Sequence, residues 1–205
     1  GLVREVLQAH EEYGAGFFRG IRHGGAHDPG KSLGWLNATP HANLFERDNF
    51  RRGVSLLGEL GYTYDSWHYH FQNEAFADLA EAVPGTTIVL DHFGTPCGVG
   101  DYTGKAAEVF AQWRVDINRL AKCPNVVVKI GGLAMPVNGF GWDGMDKPPS
   151  SDEVAAAHRD YYLETIEAFG PERCMFESNF PVDKLSLSYN AVSYTHLTLP
   201  TKDSV

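Results

Sequence analysis

Cysteine is scarce in this chain of 205 residues, and the three present, Cys97, Cys123 and Cys174, form no Cys-x-x-Cys pair. An odd number without that spacing argues against a disulfide framework and against a zinc ribbon. Cys123 and Cys174 stand just before apolar strand-like runs and read as small apolar fillers. Cys97 lies in a loop after a histidine and reads the same way, because a reactive thiolate needs an activating cationic neighbour. Long apolar runs are missing as well. None approaches the roughly 18 residues of a membrane span, and no charged and then apolar leader opens the chain, so the expectation is a cytoplasmic protein with no membrane partner.

Basic clusters are also absent. With 17 Lys and Arg against 26 Asp and Glu the formal net charge is -9, which offers a phosphate backbone no electrostatic footprint, and no nucleic-acid partner is expected. There is no Walker-type glycine loop, no Gly-x-Ser-x-Gly elbow and no Gly-x-Gly-x-x-Gly directly after a strand, which argues against bound nucleotide phosphates, a serine nucleophile elbow and a dinucleotide cofactor.

What remains is an apolar content of 43%, enough to bury a substantial core in one large domain or at most two. Periodicity predicts helices over residues 2–13, 43–60, 74–82, 104–121 and 152–169, the last capped by Ser150 or Ser151. Strands are predicted over 17–23 (FFRGIRH), 66–71 (SWHYHF), 87–92, 125–130 (NVVVKI) and 173–177. Such alternation implies an α/β fold with a parallel sheet. Links from helix to strand are tight, whereas the links over 24–41, 93–103 and 131–150 are long and rich in Gly, Pro and His. Function therefore belongs at the C-terminal ends of the strands, and long loops after almost every strand favour a (β/α)8 TIM barrel over a doubly wound sheet. A full barrel needs about 250 residues, so the expectation is a partial barrel. Residues 1–190 form its C-terminal part. Residues 191–205, AVSYTHLTLPTKDSV, carry no helical stripe, read as a Thr-rich tail with a short β-like piece, and resemble translated adapter sequence at the end of a gene fragment.

Several strand tips end in residues able to do chemistry. In TIVLDHFGTP, His92 stands at the tip with Ile88 and Leu90 on its face and Asp91 on the other. Strict alternation in WHYHF places His68 and His70 on one face, where two imidazoles could converge on a metal or a substrate, with His70 nearer the tip. Lys129 in VVVKIGG needs a partner or a pocket, and burial would lower its pKa. Arg22, followed by His23, is suited to carboxylate recognition, while Arg19 lies on the opposite face. Glu177 and Asn179 share a face in MFESNFPVDK, with Asp183 on the following loop. The HGGAHDPG and NGFGWDGMDKPP loops read as segments that close over a substrate.

Taken together, FRGIRHG, WHYHFQ, IVLDHFGTP, VVKIGGLAMPVNGFGW and CMFESNFPVDK resemble the amidohydrolase-related family of (β/α)8 hydrolases, which includes lactonases acting on pyrone dicarboxylates and on sugar lactones. The resemblance covers about residues 17–189. It implies that the chain holds strands four to eight, without the strands that carry the family's N-terminal His-x-His pair. It also implies that His70 or His68 occupies the strand-five histidine position, His92 the strand-six histidine and Asn179 the strand-eight aspartate. Asn179 is a departure, since an amide cannot take a proton usefully from water; either Asp183 or Glu177 substitutes, or the role has moved, or the chemistry differs. Because some relatives bind a divalent metal and others do not, the cofactor expectation is none, or a weakly held zinc or manganese ion with His70 and His92 as candidate ligands. The expected function is hydrolysis of a small lactone or related ester, with His92 and His70 polarising the carbonyl, Asp183 activating water, Asn179 beside them, and Arg22, His68, Lys129 and His23 contacting the small-molecule substrate. The alternatives are a metal-dependent decarboxylase on the same barrel, or an inactive barrel fragment whose open edges are buried in a homo-oligomer.

Overall fold

A computed structural model describes residues 2–34 and 37–198. Five short strands, β1 (Gly20–Arg22), β2 (Thr63–Ser66), β3 (Ile88–Leu90), β4 (Val126–Ile130) and β5 (Cys174–Phe176), form one parallel sheet in the order β1-β2-β3-β4-β5. Six helices accompany them: α1 (Leu2–Gly14), α2 (Asp48–Glu59), α3 (Asn73–Ala82), α4 (Ala106–Ala121), α5 (Ser151–Phe169) and α6 (Tyr189–Thr198). Each strand lies beside its sequence neighbour, as in a β/α barrel, and the sheet is open, with β1 and β5 as edges.

The alternation of side chains sorts the two faces. Tyr64, Ser66, Ile88, Leu90, Val126, Val128 and Ile130 are buried under the helices, against Phe76, Leu79, Trp113, Ile117, Leu120 and Phe169. The other face, which a closed barrel would turn inward, carries Asp65, Val127 and Lys129. It is more exposed toward the β5 edge, where Met175, in register with Lys129, is open to solvent.

Three predicted elements differ from the observed ones, the first being the helix predicted over 43–60, which breaks at Arg47 into a 3-10 turn (Leu44–Glu46) and α2. The strand predicted over 66–71 begins and ends earlier, at Thr63 and Ser66. Beyond Ser66 the backbone leaves the ladder: Trp67 O accepts from Gly25 N and Ala26 N, His70 N donates to Thr95 O, and His70–Gln72 forms a 3-10 turn. The aromatic alternation of WHYHF imitates a strand because it packs a loop cluster containing Ala26, Leu33, Tyr69, Cys97, Met135 and Val137. After residue 190 the chain is helical rather than β-like. Ser188 caps the turn at Ala191, and Ala191 and Val192 pack on Ala134, Val154 and Leu187; the rest of the predicted tail, from 199, lies outside the described residues. The predicted cap of α5 is present as a capping box. The Ser150 hydroxyl accepts from Glu153 N at 3.3 Å, while Ser150 N donates to the Glu153 carboxylate at 2.7 Å.

Candidate active site

The site lies at the C-terminal ends of β1 to β5 and is organised by the turn after β3. His92, Phe93, Gly94 and Thr95 have φ of 54°, 57°, 67° and 45°, a left-handed turn in which three of the four residues are not glycine. Each such residue costs about 1–2 kcal/mol. The turn is held from behind, where the indole N–H of Trp113 donates to Phe93 O at 2.7 Å and the Asn73 side chain packs on Gly94. Strict alternation would turn His92 toward the helices with Leu90. The left-handed backbone instead brings its ring to the same side as Asp91.

There the His92 ring is held at both nitrogens. Nδ1–H donates to Glu177 Oε1 at 2.5 Å, and Nε2 accepts from Arg22 Nη2 at 3.3 Å. A carboxylate only accepts and a guanidinium only donates, so this pattern requires the neutral imidazole with its proton on Nδ1 and its lone pair on Nε2. Room for the ring comes from Gly132. With φ of 81°, it approaches so closely that a Cβ there would stand 2.6 Å from His92 Nδ1 and 3.1 Å from Asn179 Nδ2.

A charged chain runs beside this pair. Asp91, with a fully buried side chain, receives Arg22 Nε at 3.0 Å and Lys129 Nζ at 2.9 Å; Lys129 also reaches Asp65 at 2.7 Å. Burial alone would lower the pKa of Lys129, the direction predicted from its place in an apolar strand. Hydrogen bonds and charge from Asp65 and Asp91 outweigh that, and the pKa is raised. Arg22, predicted as a carboxylate receptor, already has a carboxylate partner in Asp91.

Asn179, at φ of 51°, donates its amide to Asp183 Oδ1 at 2.7 Å. Asp183 is only 2% exposed. Burial pushes its pKa up to about 6, although the Asn179 amide, nearby His92 and the Ala134 backbone favour the carboxylate. The expectation that Asp183 activates water therefore meets a carboxylate packed beneath Asn179 rather than open to the mouth. Glu177, whose side chain is 20% exposed, is the acid that reaches His92. It was legible in the sequence only as one of two substitutes for the missing aspartate.

The two histidines of WHYHF do not share a face. His68 is fully buried, accepts from the Ser66 hydroxyl at Nδ1 (3.2 Å) and donates from Nε2 to Asn73 Oδ1 (3.0 Å), with Phe45 and Phe76 against its ring. Desolvation pushes its pKa down to about 3. Ser66, His68 and Asn73 are joined like a nucleophilic triad, but all three are completely enclosed, which makes them a structural polar string. His70 packs edge-on to Tyr102, and its Nδ1 accepts from Cys97 N at 3.2 Å. Burial lowers its pKa to about 4. Cys97 beside it is buried, and desolvation raises its thiol pKa, as expected of a filler. His23 stands apart on the outer side of β1, with Nδ1 bonded to Gly24 O and its ring against Phe50.

An open parallel β/α array with an imidazole, a carboxylate and a guanidinium gathered at its strand ends has the arrangement of a TIM-barrel mouth. The amidohydrolase family (Amidohydro_2) matches residues 3–204, and the chain belongs to that family. Its relatives include the uncharacterized protein y4mH of Sinorhizobium fredii, 34% identical over 93% of this chain and 56% of that protein. Another is the L-fucono-1,5-lactonase of Burkholderia multivorans, 31% identical over 71% of this chain and 46% of that enzyme. The chain spans about half the length of the curated relatives it matches. Among solved structures, an amidohydrolase from Burkholderia multivorans with bound HEPES superposes with a TM-score of 0.72 at 24% identity, covering 96% of this chain and 64% of that one. A zinc-bound structure of an amidohydrolase from the same organism gives 0.68 at 25%, covering 90% and 59%. The fold is thus an α/β partial TIM barrel.

The residues described here do not fit a divalent ion. No group of three or more His, Cys, Asp or Glu side chains converges on one point among them. Arg22 stands against the only lone pair of His92, Cys97 N–H occupies Nδ1 of His70, and the Lys129 ammonium fills the gap between Asp65 and Asp91. Among the described residues no helix is long and apolar enough to cross a membrane.

Proposed function

We propose that the protein is a hydrolase that opens a small lactone or related carboxylic ester by water attack at the barrel mouth. One observation carries this reading: the Glu177–His92–Arg22 string, in which a carboxylate fixes the imidazole tautomer and leaves a basic nitrogen beside a cation. In this mechanism His92 Nε2 takes a proton from water, and Glu177 stabilises the imidazolium that results. The hydroxide adds to the carbonyl carbon, and the carbonyl oxygen becomes an oxyanion that draws Arg22 Nη2 away from His92. Collapse of the adduct breaks the bond from carbon to the ring oxygen. That oxygen takes the proton back from Nε2, and the product is a hydroxy acid.

Asn179, held by Asp183, adds an uncharged polar group beside the ring and no base. The likeness to the L-fucono-1,5-lactonase supports a lactone as substrate. The test is proton release from a panel of aldonolactones and aryl esters by the purified chain, with and without a chelator. Hydrolysis abolished by His92→Ala and indifferent to chelator is the expected result. Release of carbon dioxide from a carboxylated substrate, dependent on added zinc or manganese, would replace this reading with a decarboxylase.

A further inference from the structure

The charges around the mouth bear on which lactone it takes, an inference that rests on the lactone-hydrolase reading. Two cations, Arg22 and Lys129, face three carboxylates, Asp65, Asp91 and Glu177. Both cations are already neutralised: Asp91 bridges them at 3.0 and 2.9 Å, and Asp65 takes Lys129 again at 2.7 Å. At the rim a carboxylated substrate meets an Arg22 fork whose charge Asp91 already balances, and it could form an enclosed pair with either cation only by displacing Asp91. That side chain is wholly enclosed, and its charge would then be buried without a partner. Substrate hydroxyls meet no such obstacle. They can donate to the partly exposed carboxylates of Asp65 and Glu177, and the 55% exposed Arg22 side chain can donate to a hydroxyl or carbonyl oxygen at the rim.

We infer that Asp91 and Asp65 are specificity-determining residues that make the mouth select an uncharged, polyhydroxylated lactone over a carboxylated one.

A matched pair tests this: D-glucono-1,4-lactone and D-glucaro-1,4-lactone, in which a hydroxymethyl group is exchanged for a carboxylate on the same ring. Binding of each to the 205-residue chain is measured by calorimetry, and ring opening is followed separately. The neutral lactone is expected to bind at least about tenfold more tightly at low salt. The preference should shrink as salt rises from ~20 to ~300 mM, because part of it is repulsion from partly exposed carboxylates. Asp65→Asn relieves Lys129 of one partner and should narrow the preference about threefold or more. Equal or tighter binding of the carboxylated lactone, a preference unmoved by both salt and Asp65→Asn, or binding of neither lactone would overturn the inference. The salt series on the unaltered protein decides the matter if the variant does not fold. Tight binding of the neutral lactone without turnover leaves the charge selection standing and overturns the hydrolase reading. Turnover with the carboxylated lactone preferred does the reverse.

Discussion

Asp183→Asn should make the protein more stable at neutral pH. Asp183 is almost completely buried, and its carboxyl pKa is raised from 3.8 to about 6, with desolvation the largest cause. An acid whose folded pKa lies above its unfolded value binds more protons in the native state between those two values, so stability falls as pH rises through that window. The gap is roughly two units at about 1.4 kcal/mol each, or ~3 kcal/mol lost by pH 7 and fully retained below about pH 4. Asparagine is nearly isosteric, can still accept from the Asn179 amide at the same position, and carries no charge to desolvate. Allowing for the weaker neutral hydrogen bond, the variant should gain ~1–3 kcal/mol above pH 6, or about 2–10 °C in melting temperature for a chain of this size. The assay is a melting series from pH 4 to pH 8 on both proteins, with ring opening at pH 7.5 alongside. The two curves should separate between pH 4 and pH 6 and then run parallel. Equal melting temperatures at pH 8, or a gap of the same size at pH 4, would refute the reasoning, because the carboxylate would then not bear the desolvation penalty.

Further outcomes follow from the same geometry. Glu177→Gln should keep the fold and lower kcat by about tenfold to a thousandfold with little change in KM, since the amide oxygen can still accept from Nδ1–H but carries no charge to steady the imidazolium; steady-state kinetics and a melt check this together. Gly132→Ala places a methyl group 2.6 Å from His92 Nδ1 at a φ of 81°, so hydrolysis should be lost along with ~1–3 kcal/mol of stability, read from a denaturant titration. Trp113→Phe keeps the ring but leaves Phe93 O without its 2.7 Å donor. A loss of ~1–3 kcal/mol and a drop in activity are expected, although the substitution lies outside the mouth. His68→Asn should destabilise the protein, and the surviving folded fraction should keep its kcat, measured after correction for the folded population.

The architecture was legible because helical and strand periodicities alternate cleanly and because the loops are long on one side of the strands. Each of the five strands was found, yet the second was placed several residues too late. Its aromatic alternation reflects packing in a loop cluster around Tyr69 and Cys97, and period-2 patterning does not distinguish such a loop from a ladder. That displacement carried the error about His68 and His70, which were put on one face although the chain has already left the sheet. His92 was placed correctly at a tip, but not its orientation, which depends on a left-handed backbone that residue types other than glycine do not announce. Lys129 was singled out as a charge at odds with its strand and Arg22 as a carboxylate receptor, and both have carboxylate partners within the protein. Their shared partner Asp91 was read as facing elsewhere because the turn of His92 toward it was not foreseen. A helix after residue 190 escaped detection because its buried surface is confined to Ala191 and Val192.

The left-handed turn of His92 to Thr95 also links the candidate site to the outer layer of the protein. A mirror-image turn built largely from ordinary residues has no preference of its own to form, so its existence depends on what docks behind it, chiefly the indole of α4 and the amide of Asn73 at the start of α3. The imidazole therefore acquires its working direction only when both helices are seated. A designer seeking to tune this chemistry can work from the back of the sheet, on residues no substrate ever meets, and in a mutational survey activity would serve as a sensitive gauge of how well the helical shell has closed.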